Sequence, residues 1–332
     1  MKPVQRLLVH GALLGVASLG ALYVWTRDKD TAGAVVADVR VWGGKAADVQ
    51  KIVFESKTRK SVLESRKDDV GRWFEGTVTR QNPVKPAVDG GAPPSEPALT
   101  VFPVLSVKTA ERIAEAVAPL QAVREVGRLA ADQAGDFGLA EPEGTLTLTI
   151  GGAERKLAIG AAAPGGADRY VRNMETDIVY AVRGDFLRDL LSGESVLNER
   201  DLHGFEDDEV KSVRIVAGDK SREVQRAGGA GATASWSDAA TPDKPDEAIA
   251  SWMMKVARLR PTEYLAEPPA NAVPVVRLEY VGKKGPLGFL ELHRLAEEKA
   301  GYLVRTEHTR KHAKVFPSAG EQVEQEIETL LR

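Results

Sequence analysis

The chain of 332 residues contains no cysteine. Disulfides, thiolate nucleophiles and cysteine-ligated metals are therefore excluded. A cysteine-free chain is compatible with an oxidising compartment. An excess of either charge is missing too: 45 Lys and Arg stand against 48 Asp and Glu, a net charge of −3. A nucleic-acid binder needs a basic excess or patch, so no nucleic-acid partner is expected. Disorder of the whole chain needs few apolar residues and a high net charge, and 43% of these residues are apolar. No Gly-x-x-x-x-Gly-Lys-Ser/Thr occurs, so the backbone nest and lysine that hold nucleotide phosphates are absent. No serine sits in a Gly-x-Ser-x-Gly elbow. No catalytic, cofactor-binding or metal-binding residue is assigned from the sequence.

What is present begins with one long apolar run. Leu7 to Thr26 carries no Asp, Glu, Lys or Arg. At 1.5 Å per residue its 20 residues reach about 30 Å as a helix, enough to cross a bilayer core. Lys2 and Arg6 precede it, while Arg27-Asp28-Lys29-Asp30 behind it cancels in sign. The basic excess predicts a cytoplasmic N-terminus and a single pass through a bacterial inner membrane, with the main domain periplasmic. Tyr23 and Trp25 suit the outer lipid interface. Gly11 and Gly15, on small-residue spacing, suit close packing against another membrane helix. The alternative, a cleaved signal peptide, fits less well because its apolar core is shorter and ends in a small-residue site.

The remainder reads as a duplicated unit. Val49–Phe54 and Val210–Ile215 open two series of alternating segments, the mark of strands with one buried face. Each series reaches a tryptophan, Trp73 or Trp236, expected in equivalent strands. A helix follows in each, over about 109–123 with Ile113, Val117 and Leu120 in register, and over about 245–257 with Ile249, Met253 and Val256. The stretch from Asn82 to Pro103 is rich in Pro and Gly and reads as a loop. Further strands and a terminal helix close each series. The expected class is α+β: a transmembrane helix in 1–27, a tether in 28–47, and antiparallel-sheet-plus-helix units in 48–195 and 205–332.

This order of segments resembles the family called domain of unknown function 4340. The resemblance rests on Phe137-Gly138-Leu139-Ala140-Glu141-Pro142, Leu157-Ala158-Ile159-Gly160, Arg169-Tyr170-Val171-Arg172, and Leu197 to Leu202 leading into Glu206-Asp207-Asp208-Glu209-Val210. It implies a non-catalytic extracytoplasmic accessory or scaffold subunit beside an ABC transporter of the gliding-motility type. The partners it implies are the permease, the ATPase and the gliding-motility-type auxiliary subunit, with membrane lipid touched through the anchor. It carries over no catalytic residues. A free-standing structural protein of the envelope and an envelope hydrolase are the alternatives.

The remaining polar clusters read as ordinary structure. His10 falls in the anchor and His203 in the turn between the units. His308 and His312 are four apart in a segment that reads as a hairpin, where they are expected to be solvated rather than metal-bound. Glu206-Asp207-Asp208-Glu209 lacks the alternating oxygen ligands of a calcium loop and reads as an exposed acidic turn. Gly151-Gly152, Gly165-Gly166 and Gly228-Gly229-Ala230-Gly231 read as tight turns.

Overall fold

The computed structural model describes residues 39–82, 98–227, 235–296 and 301–332. One compact unit spans Arg40–Arg332. Two large antiparallel sheets dominate it.

The first sheet draws on β2 (Val49–Ser56), β3 (Arg59–Lys67), β4 (Arg72–Gln81), β5 (Leu99–Ser106), β7 (Arg124–Gly127), β8 (Gly144–Ile150), β9 (Ala153–Ala162), β10 (Asp168–Asn173) and β11 (Val179–Arg183). Its spatial order is β5-β4-β3-β2-β8-β9-β10-β11-β7. A small two-stranded sheet pairs β1 (Val39–Trp42) with β6 (Leu120–Ala122). The second large sheet uses β12 (Val210–Ala217), β13 (Lys220–Ala227), β14 (Ser235–Asp238), β15 (Glu263–Tyr264), β16 (Ala272–Gly282), β17 (Gly285–Leu295), β18 (Tyr302–Thr306) and β19 (Ala313–Val315). Its order is β14-β13-β12-β16-β17-β18-β19-β15, the plan of the first sheet without β5. The registers correspond as well. Val49 pairs with Ile150, and Val210 with Gly282, and a register shift follows at the same step in each.

The helices are α1 (Lys108–Val117), α2 (Asp185–Ser192), α3 (Glu194–Leu197), α4 (Glu247–Ala257) and α5 (Pro317–Leu330). Helix α4 starts where Asp246 accepts hydrogen bonds from the amides of Ala248 and Ile249, which satisfies two of the free donors of its first turn. Its Ile249, Trp252, Met253 and Val256 are buried against the second sheet and α5. Leu105 of β5, with Trp73 and Val107, also packs into this second core, so the two halves share apolar contacts.

Three expectations from the sequence are overturned. The α+β class is overturned: strands hold 47% of the described residues and helices 20%, in three antiparallel sheets. Two of the strands lie in apparent connections, β1 in the expected tether and β5 in the Pro-rich loop. Pro103 lies within β5, which is an edge strand and so tolerates a missing amide. The transmembrane helix is likewise not found: among the described residues no helix is long and apolar enough to cross a membrane. Leu7–Thr26, with Gly11, Gly15, Tyr23 and Trp25, lies outside the described residues. Helix α1 stops at Val117 rather than Val123, because Pro119 cannot donate to a continuing helix. Trp73 and Trp236 do lie in corresponding strands, β4 and β14, as expected, one residue out of step with each other. Ile52 pairs with Leu63 as Val213 pairs with Val224. From there Ser65 pairs with Phe74, and Arg226 pairs with Trp236. Trp236 thus matches Phe74, and the one-residue slip puts the two tryptophans on opposite faces.

Candidate functional site

A cleft with a volume of about 510 Å³ opens where the segment between the two sheets meets α4. The connecting segment contributes His203, Phe205 and Asp207, and α4 contributes Met253, Val256 and Ala257. The sheet supplies Arg226, Trp236 and Tyr280. A second cleft, near Lys57, Arg59 and Glu141, is smaller, at about 450 Å³.

His203 is held from two sides. Its ring stacks on Phe205 at 4.5 Å between centroids and meets the edge of Tyr280 at 4.6 Å. Its Nδ1 lies 3.0 Å from Glu307 Oε1, across 104 residues of sequence. Glu307 also accepts from the Phe289 amide at 2.8 Å. Gly288 makes room for this, since a Cβ there would stand 2.2 Å from the Glu307 carboxyl carbon. A carboxylate can only accept, so Nδ1 carries a proton and donates it to Glu307. The ring's Nε2 is buried and has no hydrogen-bond partner. Arg226 is in a similar condition. Its guanidinium stands 5.4 Å over the Trp236 ring, and its Nε is buried without an acceptor. Burial pushes the Tyr280 phenol well above its ordinary value, with Glu307 and Asp207 adding to the shift.

Beside the cleft lies a buried junction built on Glu199. One carboxylate oxygen accepts from the amides of Arg200 and Asp201 at 3.0 and 3.1 Å, and the other from the Lys108 amide at 3.0 Å. Lys108 opens α1, so Glu199 neutralises the positive end of that helix from across the junction. His308 Nε2 stands 3.7 Å away, an ion-pair distance too long for a hydrogen bond. The Tyr264 hydroxyl donates to the Glu199 carbonyl at 2.9 Å. Burial acts to raise the Glu199 carboxyl, but His308 and the Lys108 and Asp201 amides outweigh it and hold it at about 2.

The sequence reading placed its interaction residues in the N-terminal run, and it read His203 and the acidic turn as ordinary connection. The acidic turn is a short helical turn, Asp207–Glu209, closed by reciprocal bonds between Glu206 and Glu209. His308, expected to be solvated, is 6% exposed and part of the junction. Among the described residues no three His, Cys, Asp or Glu side chains are grouped to hold a metal. The only sequence signal for the cleft was the aromatic and histidine content of 203–205, which means nothing until β16 and the turn after β18 come alongside.

The half-buried imidazoles of His293 and His312 give this half of the molecule a pH dependence. His293 and His312 lie 5.2 Å apart, and burial pushes both below their ordinary value. As pH falls below about 6.5 the unfolded chain takes up protons that the folded chain refuses, so stability declines from there downward. Below about 4.5 the unfolded chain also protonates its Glu199 carboxyl, which the folded chain keeps ionised down to about 2, and the decline steepens. Urea midpoints measured from pH 8 to 4 should show both phases, and His312→Asn should flatten the first. A midpoint that does not move between pH 7 and 5 would contradict this account of the histidine pair.

No curated protein and no solved structure matches this chain. Residues 102–275, from β5 through the Glu199 junction and α4 into β16, match the family described as Domain of unknown function (DUF4340). That stretch is just over half of the 332 residues, and the chain therefore belongs to the DUF4340 family.

Proposed function

We infer that this chain is a non-catalytic accessory subunit, working on the outer side of the membrane as a partner-binding module of an ABC-type transport or motility complex. The observation that supports binding is the cleft itself: an aromatic and aliphatic floor, a few polar groups, and two of those groups left without partners. This is the composition of a recognition pocket. Among the described residues the cleft lining includes no serine, threonine or cysteine to act as a nucleophile, which favours the binding module over the envelope hydrolase. Energy has to come from another chain, because no phosphate-binding loop occurs in this one. The ABC association rests on the family resemblance, and the extracytoplasmic placement on that resemblance and the cysteine-free composition.

The test is copurification of the tagged full chain from its native cells, in mild detergent, with mass spectrometry of what comes with it. The expected result is recovery of a permease and its ATPase, with no ATP hydrolysis by the purified chain alone. A free-standing envelope protein would bring down neither subunit, and that outcome would remove the transporter reading.

A further inference from the structure

The two halves of the molecule differ most at the cleft. In the first half the short helical turn Ala46–Asp48 precedes β2, and in the second half the turn Asp207–Glu209 precedes β12. Counted back from the matched residues Val49 and Val210, Trp42 corresponds to His203 and Gly43 to Gly204. Likewise Leu148, opposite Ile52, corresponds to Tyr280, opposite Val213.

In the first half the space between the turn and the helix is closed. Trp42 is 8% exposed, and its indole Nε1 donates to the Val117 carbonyl at the end of α1, at 2.7 Å. The turn packs directly on α1. Arg72 fastens the two, donating to the Ala46 carbonyl at 2.6 Å and pairing with Glu111 at 2.5 Å.

In the second half His203 replaces the indole and turns to Glu307 instead. The space that remains, between the connecting segment and the C-terminal end of α4, is the cleft. The helix-end carbonyls of Ala257 and Leu259 receive Arg260 Nη1 at 2.7 Å, so the helix end is satisfied without filling the cleft. Two polar atoms stay unmatched around it: His203 Nε2 has no hydrogen-bond partner, and Arg226 Nε has no acceptor. Among the described residues Arg226 makes no hydrogen bond and no ion pair.

We propose that this cleft receives an aromatic side chain and a neighbouring carboxylate from a partner polypeptide, the ring entering where the first half of the molecule seats its own Trp42. The ring lies among Phe205, Trp236, Tyr280 and Met253, a geometry suited to edge and stacked aromatic contacts and to sulfur–ring contacts. A phenol hydroxyl or indole N–H of that ring supplies the polar partner that His203 Nε2 lacks. The carboxylate supplies the acceptor that Arg226 lacks, since the acidic lining residues Asp201, Glu206 and Asp207 do not reach it. A single aromatic anchor in a desolvated pocket is the usual centre of a protein interface. The assignment rests on the reading of the chain as a partner-binding module.

Of the four methionines, Met253 and Met254 line the cleft, and Met174, in the turn that follows β10 of the first sheet, serves as a reference. Full-length protein labelled at its methionine methyl groups is titrated with acetyl-Gly-Trp-Glu-Gly-amide. The expected result is saturable movement of the Met253 and Met254 signals, with Met174 still. Replacing the peptide's tryptophan by alanine should weaken binding at least tenfold. Arg226→Gln should erase the preference for the glutamate peptide over its glutamine counterpart. His203→Trp, which restores the residue of the first half, should close the cleft and abolish the shifts. Ala257→Trp does the same from the exposed end of α4 if the first variant does not fold. Still methionine signals with the tryptophan peptide overturn the proposal, and so does free indole saturating them while the peptide remains inert. Peptide binding without copurified ABC subunits would keep the cleft assignment and remove the transporter reading. Copurified subunits with an inert peptide would do the reverse.

Discussion

Glu199→Ala should destabilise the protein by roughly 3–5 kcal/mol, the cost of breaking a buried charged network from one side. The wild-type carboxyl is held at about 2 against an ordinary value of 4.5. That difference corresponds to about 3 kcal/mol of stability at neutral pH, present above the unfolded value and lost as pH falls toward the folded one. The alanine variant also strands the amides of Lys108, Arg200 and Asp201, each of which loses its acceptor where water has little access. Glu199→Gln separates the two effects. It keeps the shape and one acceptor oxygen, so it should cost less, and it should remove the stability loss below pH 4.5 that the wild type shows. Denaturant midpoints of the three proteins at pH 7 and pH 4 decide the matter. An alanine variant within 1 kcal/mol of wild type would show that the junction contributes little.

Trp252→Ala should have a similar effect for a different reason. Trp252 is fully buried on α4, and its indole Nε1 donates to the Val323 carbonyl of α5 at 3.0 Å. Truncation opens a large cavity in the second core and removes the one hydrogen bond from this indole to α5, at a cost of roughly 3–5 kcal/mol. The final helix should be affected first. Val323, Ile327 and Leu330 form its buried stripe, and they face the same core. Amide exchange in 321–330 should therefore quicken more than exchange in the first sheet. Trp252→Phe retains most of the volume and should recover most of the stability. Equal acceleration of exchange across both sheets would show that the two cores unfold as one.

What the chain discloses locally is considerable. The alternation in Val210–Ile215 or Thr145–Ile150 identifies a strand because side chains five or six residues apart already reveal one buried face. Asp246 before an apolar helical stripe marks the start of α4 for an equally local reason. Even the correspondence of the two halves follows from the order of such segments. β5 escaped because Pro103 and its Pro-rich approach argue locally for a loop. Only its position at the sheet edge, where no partner needs the missing amide, makes it a strand.

The sequence by itself therefore determined where most strands and helices lie, that cysteine chemistry is excluded, and that no phosphate-binding loop is present. Tertiary structure alone decided which residues meet. His203 faces Glu307 because β17 and β18 bring the following turn back beside the connecting segment. Trp236 and Trp73 sit on opposite faces of corresponding strands, because one residue of register separates them. Such choices depend on pairings between segments far apart in the chain, and a shift of one residue in any pairing sends every side chain of that strand to the other face. The cleft is the result: two polar groups without partners, beside a space that the first half of the same chain fills with Trp42.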